Sequence, residues 1–212
     1  MESKDYMKHE IGAKKPDTLK EEWPRQWIVF SHYEQLYCVP GALYVVTTKK
    51  ENGKTNAGWF SSASFHGDGG GHFALLPGIM QFTHTYHNIL REKEFVVNFL
   101  SSDYDDHCYK LISTNDEDVD ELEVVGLTAE PSKEISTLRI KEAFMSFECK
   151  LESINDLSGK GMNALIIGRV LNAGVDENHR SVSSICKNFS YNIRTITDDG
   201  ETGSFARLEA YD

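Results

Sequence analysis

Leu43-Tyr44-Val45-Val46-Thr47-Thr48, then Glu51-Asn52-Gly53, then Thr55-Asn56-Ala57-Gly58-Trp59-Phe60-Ser61-Ser62-Ala63-Ser64-Phe65: this stretch decides the fold. The first run is β-branched and aromatic, the composition of a strand packed on one or both faces. Asn-Gly at its end is a hairpin turn signal, so the extended segment Thr55 to Phe65 pairs back onto it. Outward from this hairpin, His66-Gly67-Asp68-Gly69-Gly70-Gly71-His72 reads as a flexible connection. Phe73 to Phe82 is extended again, and Pro77 within it implies an edge strand or a break.

Thr83 to Lys93 reads as a short helix capped by Thr83 or Thr85, with Tyr86, Ile89 and Leu90 on one face. Phe95 to Leu100 is a strand. Asp103 to Ile112 is a second helix, capped by Ser102 or Asp103, with Tyr104, Cys108, Leu111 and Ile112 turned inward. Asn115 to Glu121 is an acidic run and reads as a solvated loop, because the glycine and final glutamate of a calcium loop are missing. From Phe144 to Leu151, Met145, Phe147, Cys149 and Leu151 alternate with Ser146, Glu148 and Lys150, the period of a strand with one face inward. Ala164 to Leu171 is nearly all apolar, as in a strand buried on both faces. Gly168 within it marks a bulge or a close backbone approach. No internal repeat is visible. Many strands and two short helices predict a mainly β chain, a closed or nearly closed antiparallel barrel.

The chain has 212 residues, with 22 Lys+Arg against 33 Asp+Glu and a formal net charge of -11. That length fits one domain with additions: an N-terminal extension over 1–30, then a domain over 31–212 that includes a C-terminal extension. The acidic balance excludes a general nucleic-acid binder and a polybasic membrane-surface protein. No run of about 18 apolar residues marks a membrane span. The N-terminus is charged and lacks the apolar core of a secretory signal, which places the expected location in the cytoplasm. Cys38, Cys108, Cys149 and Cys186 are widely spaced and form no CxxC, so reduced, mostly buried thiols are expected.

Several chemistries fail on spacing. A dinucleotide fingerprint GxGxxG needs glycine at 72, which is His, and no helix pattern follows. There is no GxxxxGK[ST] for a nucleotide phosphate and no GxSxG nucleophile elbow. His84 and His87 share a helix face, yet no HExxH or cysteine knuckle supports a metal, and none is expected.

Three features remain. Asn56 to Ser64 is a strand rich in small hydroxyl residues, which leaves backbone N–H and C=O accessible to a flat ligand. Thr83-His84-Thr85-Tyr86-His87-Asn88 opens a helix, where free N–H groups favour a phosphate. Phe95-Val96-Val97-Asn98 sets one polar side chain among apolar ones, which reads as a structural hydrogen-bond maker.

With Pro40 leading the first strand, the Ser-Ser-x-Ser ending of the second, Thr85-x-x-Asn88-Ile89, Phe95-Val-Val-Asn98, Glu148-Cys149-Lys150-Leu151 and Ile166-Ile167-Gly168-Arg169-Val170, the chain resembles the flavin reductase-like, FMN-binding split-barrel proteins, among them the flavoredoxins. That resemblance implies a Greek-key antiparallel split β-barrel with a few short helices, homodimeric, holding FMN non-covalently near the subunit interface. It nominates Asn56, Ser61, Ser62, Ala63 and Ser64 for the ring and ribityl, and Thr83, Thr85 and Asn88 for the phosphate side. It implies oxidoreductase chemistry in which NAD(P)H delivers hydride to the flavin, with no obligatory catalytic side chain.

Two departures stand out. Many members of the family it resembles carry an Arg just upstream of the helix-start Thr or Ser, whereas here the stretch is Gln81-Phe82-Thr83-His84. The phosphate charge is then left to helix N–H groups, hydroxyls, His84 or Lys54. The His66–His72 segment also replaces a plain turn. Because flavin and nicotinamide nucleotides are anions, the net charge is expected to sit away from the site, on the tail and the 116–123 run. Two other readings stay open: a flavin-holding electron carrier without NAD(P)H turnover, and a non-flavin dimeric β-barrel binding module.

Overall fold

A computed structural model describes residues 10, 12–17, 19–21, 23–33, 39–181 and 189–193, and the backbone of 204–207. Its strands are β1 Gly41–Lys49, β2 Thr55–Ser61, β3 Ser64–Asp68, β4 Gly71–Met80, β5 Glu94–Phe99, β6 Ala129–Glu130, β7 Arg139–Ile140, β8 Met145–Asp156, β9 Asn163–Val175, β10 Ser190–Ile193 and β11 Ser204–Arg207. Its helices are α1 Gln26–Val29, α2 His84–Glu92, α3 Asp105–Lys110 and α4 Glu121–Val125.

The main sheet runs β11-β10-β1-β5-β8-β9-β4-β3, with β2 paired to β1, and β6–β7 forms a separate ribbon. Its pairings are antiparallel. One edge of β1 is shared by β10, at Gly41 and Ala42, and β5, at Val45 to Thr47; the other edge belongs to β2. Starting from β2, the path β2-β1-β5-β8-β9-β4-β3 ends on a strand that only Ser62 and Ala63 separate from its first. Two residues span too little distance for the ends of a seven-strand path to lie flat apart. The sheet therefore curls into a barrel, with an unpaired seam between β2 and β3.

The period-2 alternation of β1 sorts two cores. Tyr44 and Val46 point into the barrel with Leu76, Ile79, Phe95 and Ile166. Val45 points outward onto a second cluster with Ala57, Leu111, Leu122 and Ile140, which α3 and α4 cover. Residues at alternate positions on this strand are thus buried in different places, and no solvent face remains at its centre.

The hairpin of β1 and β2 forms in the expected register, Leu43 opposite Ser61 through Lys49 opposite Thr55, with Gly53 at φ 85° in the turn. Three expectations need correction. Thr55 to Phe65 is not one strand: Ser62 turns left-handed at φ 74°, and the chain leaves β1 there. The His66–His72 segment is not a loose connection but the tip of the β3–β4 hairpin, where Asp68 pairs with Gly71 and Asp68 Oδ1 accepts from Gly70 N at 2.7 Å. The positive φ at this tip falls on Gly71, at 151°, where glycine's freedom is used. Ala164 to Leu171 is buried on one face only; Ala164, Ile166 and Gly168 are inward, while Leu165 and Ile167 are half-exposed.

Smaller differences follow the same logic. Pro77 sits where β4 shifts register against β9 between Leu76 and Ile79, just past its last pairing with β3 at Leu75, so its missing N–H costs no ladder bond. A Cβ on Gly168 would come within 2.4 Å of Phe95 Cζ, the close approach its sequence context implied. The inward face of α2 is Thr85, Asn88 and Ile89; Leu90 turns out to solvent, as Ile112 does beyond α3. Ser146 and Glu148 of β8 are buried beside their apolar neighbours, because the 133–139 segment covers that face. Nearer the N-terminus Leu19 is buried, and the Val29 carbonyl accepts from Asn163 Nδ2 at 2.6 Å, which holds α1 against β9.

The thiols of Cys108 and Cys149 are buried, and burial pushes each up to about 12. A chain with Cys38 and Cys186 changed to Ser is expected to show no thiol reactive to Ellman's reagent at pH 8 within minutes, and two after denaturation. Fast labelling of the native chain would contradict this packing.

Candidate functional site

β2 borders the barrel seam and meets the start of α2 through Asn56 and Thr85. Along its free edge, alternate N–H groups point away from β1. Thr55 N donates to Asp120 Oδ2 at 2.9 Å, and Ala57 N to Glu121 Oε2 at 2.8 Å. The same alternation turns the Ser61 N–H outward, and after it the Ser62 and Ala63 N–H groups have no backbone partner among the described residues. Ser62 and Ser64 are exposed; Ser61 and Ala63 are half-buried. The left-handed turn rests on Gly41, where a Cβ would meet Ser62 N at 2.8 Å and Ser62 Oγ at 2.6 Å. Rings anchor both sides of the break: Phe60 stacks near Tyr44 at 6.1 Å, and Phe65 near Phe147 at 4.5 Å. The result, among the described residues, is a short run of unpaired amides with the Ser61 and Ser62 hydroxyls beside them, held by aromatic residues, while the Ser64 hydroxyl is bonded to His66 Nε2 at 2.8 Å.

Thr83 caps α2, its hydroxyl accepting from Tyr86 N at 3.3 Å and donating to Met80 O at 2.8 Å. His84 Nδ1 is a buried ring nitrogen without a hydrogen-bond partner in the described structure. Its Nε2 lies 3.5 Å from Glu117 Oε2, so the acidic run reaches the helix start instead of standing away from it. The run is drawn there by its backbone, because Lys50 Nζ takes the carbonyls of Asp116 and Val119, Asn52 Nδ2 that of Glu117, and Lys54 Nζ that of Asp118. It is thus a clamped loop, and Lys54, one of the cations considered for phosphate, is engaged in it.

Asn56, Thr85 and Asn88 are brought together, though inside the protein: each is 3–4% exposed. Asn56 Nδ2 donates to Thr85 Oγ1 at 3.0 Å and to Thr48 Oγ1 at 3.1 Å; Asn88 Nδ2 donates to Thr48 Oγ1 at 3.1 Å. The nominated residues therefore divide into a surface group, Ser61, Ser62, Ala63, Ser64 and Thr83, and an interior group behind it. Trp59 turns to the second core, edge-on to Tyr109 at 6.4 Å. Asn98 is a structural bond maker, wholly buried between β1 and β7. Sequence reasoning missed Thr48, which reads as an ordinary β-branched strand residue, and Gly41, whose role shows only against the turn it supports.

Among the described residues, no group of three His, Cys, Asp or Glu is placed to hold a metal, and no helix is long and apolar enough to cross a membrane.

A family model described as "Flavin reductase like domain" matches residues 36–188. The chain belongs to this family. Flavin-linked oxidoreduction is the activity that membership supports, and a flavin is the cofactor it implies. An uncharacterized protein of Aquifex aeolicus (strain VF5) is 47% identical over 70 residues, 32% of this flavin reductase-like chain. The match spans 34% of that relative, about a third of its length.

Among solved structures, nitrilotriacetate monooxygenase component B from Bacillus cereus is similar at TM-score 0.74 and 18% identity, covering 97% of this chain and 99% of that one. A split-barrel protein assigned as a flavin reductase, from Shewanella frigidimarina NCIMB 400, is similar at TM-score 0.69 and 19% identity, covering 85% and 89%. Flavoredoxin of Desulfovibrio vulgaris (Miyazaki F) is similar at TM-score 0.68 and 17% identity, covering 82% and 90%. At such identities the likeness is one of fold, and the fold of this flavin reductase-like chain is the split barrel.

Proposed function

We propose that the chain binds FMN non-covalently and passes electrons from NAD(P)H through it to an acceptor, as a cytoplasmic homodimer without nucleic-acid or membrane partners. The observation that carries this reading is the run of unpaired amides at Ser61, Ser62 and Ala63, at the end of the strand whose Asn56 bonds Thr85 at the helix start. A flavin has a polar ring edge that needs amide donors and acceptors, a hydroxylated chain and an anionic end. The donor set matches those three needs in kind.

Bound FMN would supply the hydride-accepting and electron-passing chemistry itself. The chain's part is to bind and orient. Ser61, Ser62 and Ala63 would offer amides, and Ser61 and Ser62 hydroxyls, to the ring and ribityl, with Ser64 beside them holding His66 through its own hydroxyl. N–H donors fixed in place beforehand stabilise developing negative charge without reorganising, which favours the reduced state of a bound group. At the other end, the His84 and Thr85 N–H groups and the His84 ring would meet the phosphate. The hydroxyls of Thr83 and Thr85 are already committed to Met80 O, Tyr86 N and Asn56 Nδ2. Asn56 and Asn88 would act from behind, by holding the helix.

Likeness to a flavoredoxin supports a second reading, a flavin-holding electron carrier without NAD(P)H turnover. Melting with and without FMN tests the shared premise. At a hundred-fold excess over Kd, a ligand that binds only the native state adds about 2.7 kcal/mol, raising Tm by roughly 5–11 °C for a chain of this size. Anaerobic stopped-flow mixing of the FMN-loaded chain with NADH or NADPH then separates the readings: rapid bleaching of the flavin band is expected, and no bleaching with either donor leaves the carrier. A colourless chain whose Tm ignores FMN leaves the non-flavin binding module.

A further inference from the structure

Thr48 is wholly buried on β1, and its hydroxyl oxygen accepts from two side-chain amides at once, Asn56 Nδ2 and Asn88 Nδ2, each at 3.1 Å. Asn56 Nδ2 directs its other hydrogen to Thr85 Oγ1 at 3.0 Å. Four side chains from β1, β2 and α2 thus share one buried network, and Thr48 is its hub. The network grips α2 at its second and fifth residues, Thr85 and Asn88, within the first turn and a half.

Apolar contact and hydrogen bonding divide the work of seating this helix. Ile89 packs into the barrel core, and apolar burial is non-directional, so it sets the depth of α2 but not its rotation about its own axis. Hydrogen bonds weaken steeply as they bend, so the amide–hydroxyl bonds set the rotation. Rotation decides where the unpaired N–H groups at the helix start point. Valine has nearly the shape of threonine, so its cost at 48 is confined to two buried amides left without their acceptor, which the helix relieves by turning.

We propose that Thr48 is a positioning residue for the phosphate end of the bound flavin: through Asn56 and Asn88 it aims the His84 and Thr85 N–H groups at that end. This rests on the FMN reading above. It concerns a residue with no contact of its own to the ligand, and it separates the phosphate end from the ring end, which the Ser61–Ser64 turn would hold.

The test is fluorescence titration of the purified chain with FMN and with riboflavin, which shares the ring and ribityl but lacks the phosphate. Thr48→Val is expected to weaken FMN about ten-fold and riboflavin under about two-fold. Thr48→Ser restores the acceptor oxygen and is expected to return FMN to within about two-fold of wild type. Thr48→Cys keeps the volume with only a weak acceptor, and carries the same ratio test should the valine variant not fold. Equal losses for both ligands, or an unchanged ratio, overturn the positioning role and leave the flavin reading standing. Wild-type chain that binds neither ligand overturns both.

Discussion

Lys50→Met is expected to cost about 3–5 kcal/mol of folding stability, because it strands a buried carboxylate. The Lys50 side chain is wholly buried. Three oxygens surround its ammonium: Glu121 Oε1 as an ion-pair partner at 3.0 Å, and Asp116 O and Val119 O, which accept hydrogen bonds at 2.6 Å and 3.0 Å. Glu121, 1% exposed, uses its other oxygen on Ala57 N at 2.8 Å. Desolvation makes such a pair a weak source of net stability while intact and a costly one to break. Methionine fills the volume and answers none of the three oxygens.

The sign of the pH dependence follows from Glu121. Burial holds its pKa above the ordinary value, partly offset by the Ala57 N–H and the Lys50 ammonium. A carboxyl with a raised native pKa contributes fully below its unfolded value, about 4.3, and loses that contribution as pH rises through the native one. Removing Lys50 removes one lowering influence, so the pKa climbs further and the variant weakens more on going from pH 5 to pH 8. Urea unfolding of both chains at the two pH values should show a wider gap at pH 8. A gap under about 1 kcal/mol, or one equal at both, would contradict the pairing.

Asn98→Leu is expected to cost about 2–4 kcal/mol, since a leucine fills the space but answers none of the bonds. Asn98 Oδ1 accepts from Ile140 N at 3.0 Å, while Nδ2 donates to Val45 O and Thr47 Oγ1, each at 3.2 Å. Thr47 Oγ1 in turn donates to Leu138 O at 2.7 Å. The pair fastens the Leu138–Ile140 segment to β1 and β5, and Ile140 is itself 2% exposed, so its N–H has no water to turn to. The midpoint of a urea melt reads the loss directly; a shift worth less than about 1 kcal/mol would mean that the segment finds another partner.

How much of this was legible depends on whether a residue's role is local. The hairpin from Leu43 to Ser61, the Thr83 cap and the close approach at Gly168 follow from residue type and nearest neighbours, and each could be read directly. Asn98 could be read because one polar residue in an apolar strand must find partners. Lys50 could not. A lysine beside a turn reads as solvated, and only the folding of residues 116–121, some 66 positions away, onto that turn supplies its acceptors. The acidic run misled for the same reason, since its backbone carbonyls, not its side chains, decide where it lies.

The candidate site divides in the same way. That Ser61 to Ser64 would leave backbone groups accessible, and that Thr83 would open a helix, rests on small side chains and capping chemistry, which act over a few residues. Whether Thr85 and Asn88 face a ligand or the interior depends on helix rotation, which Thr48 of another strand sets through bonds spanning 40 positions. Local chemistry in the sequence determined the strands, the caps and the small-residue turn. Only the tertiary structure decided which polar groups were consumed inside and which were left over at the seam, because a hydrogen bond is specified by two partners and the chain names only one of them at a time.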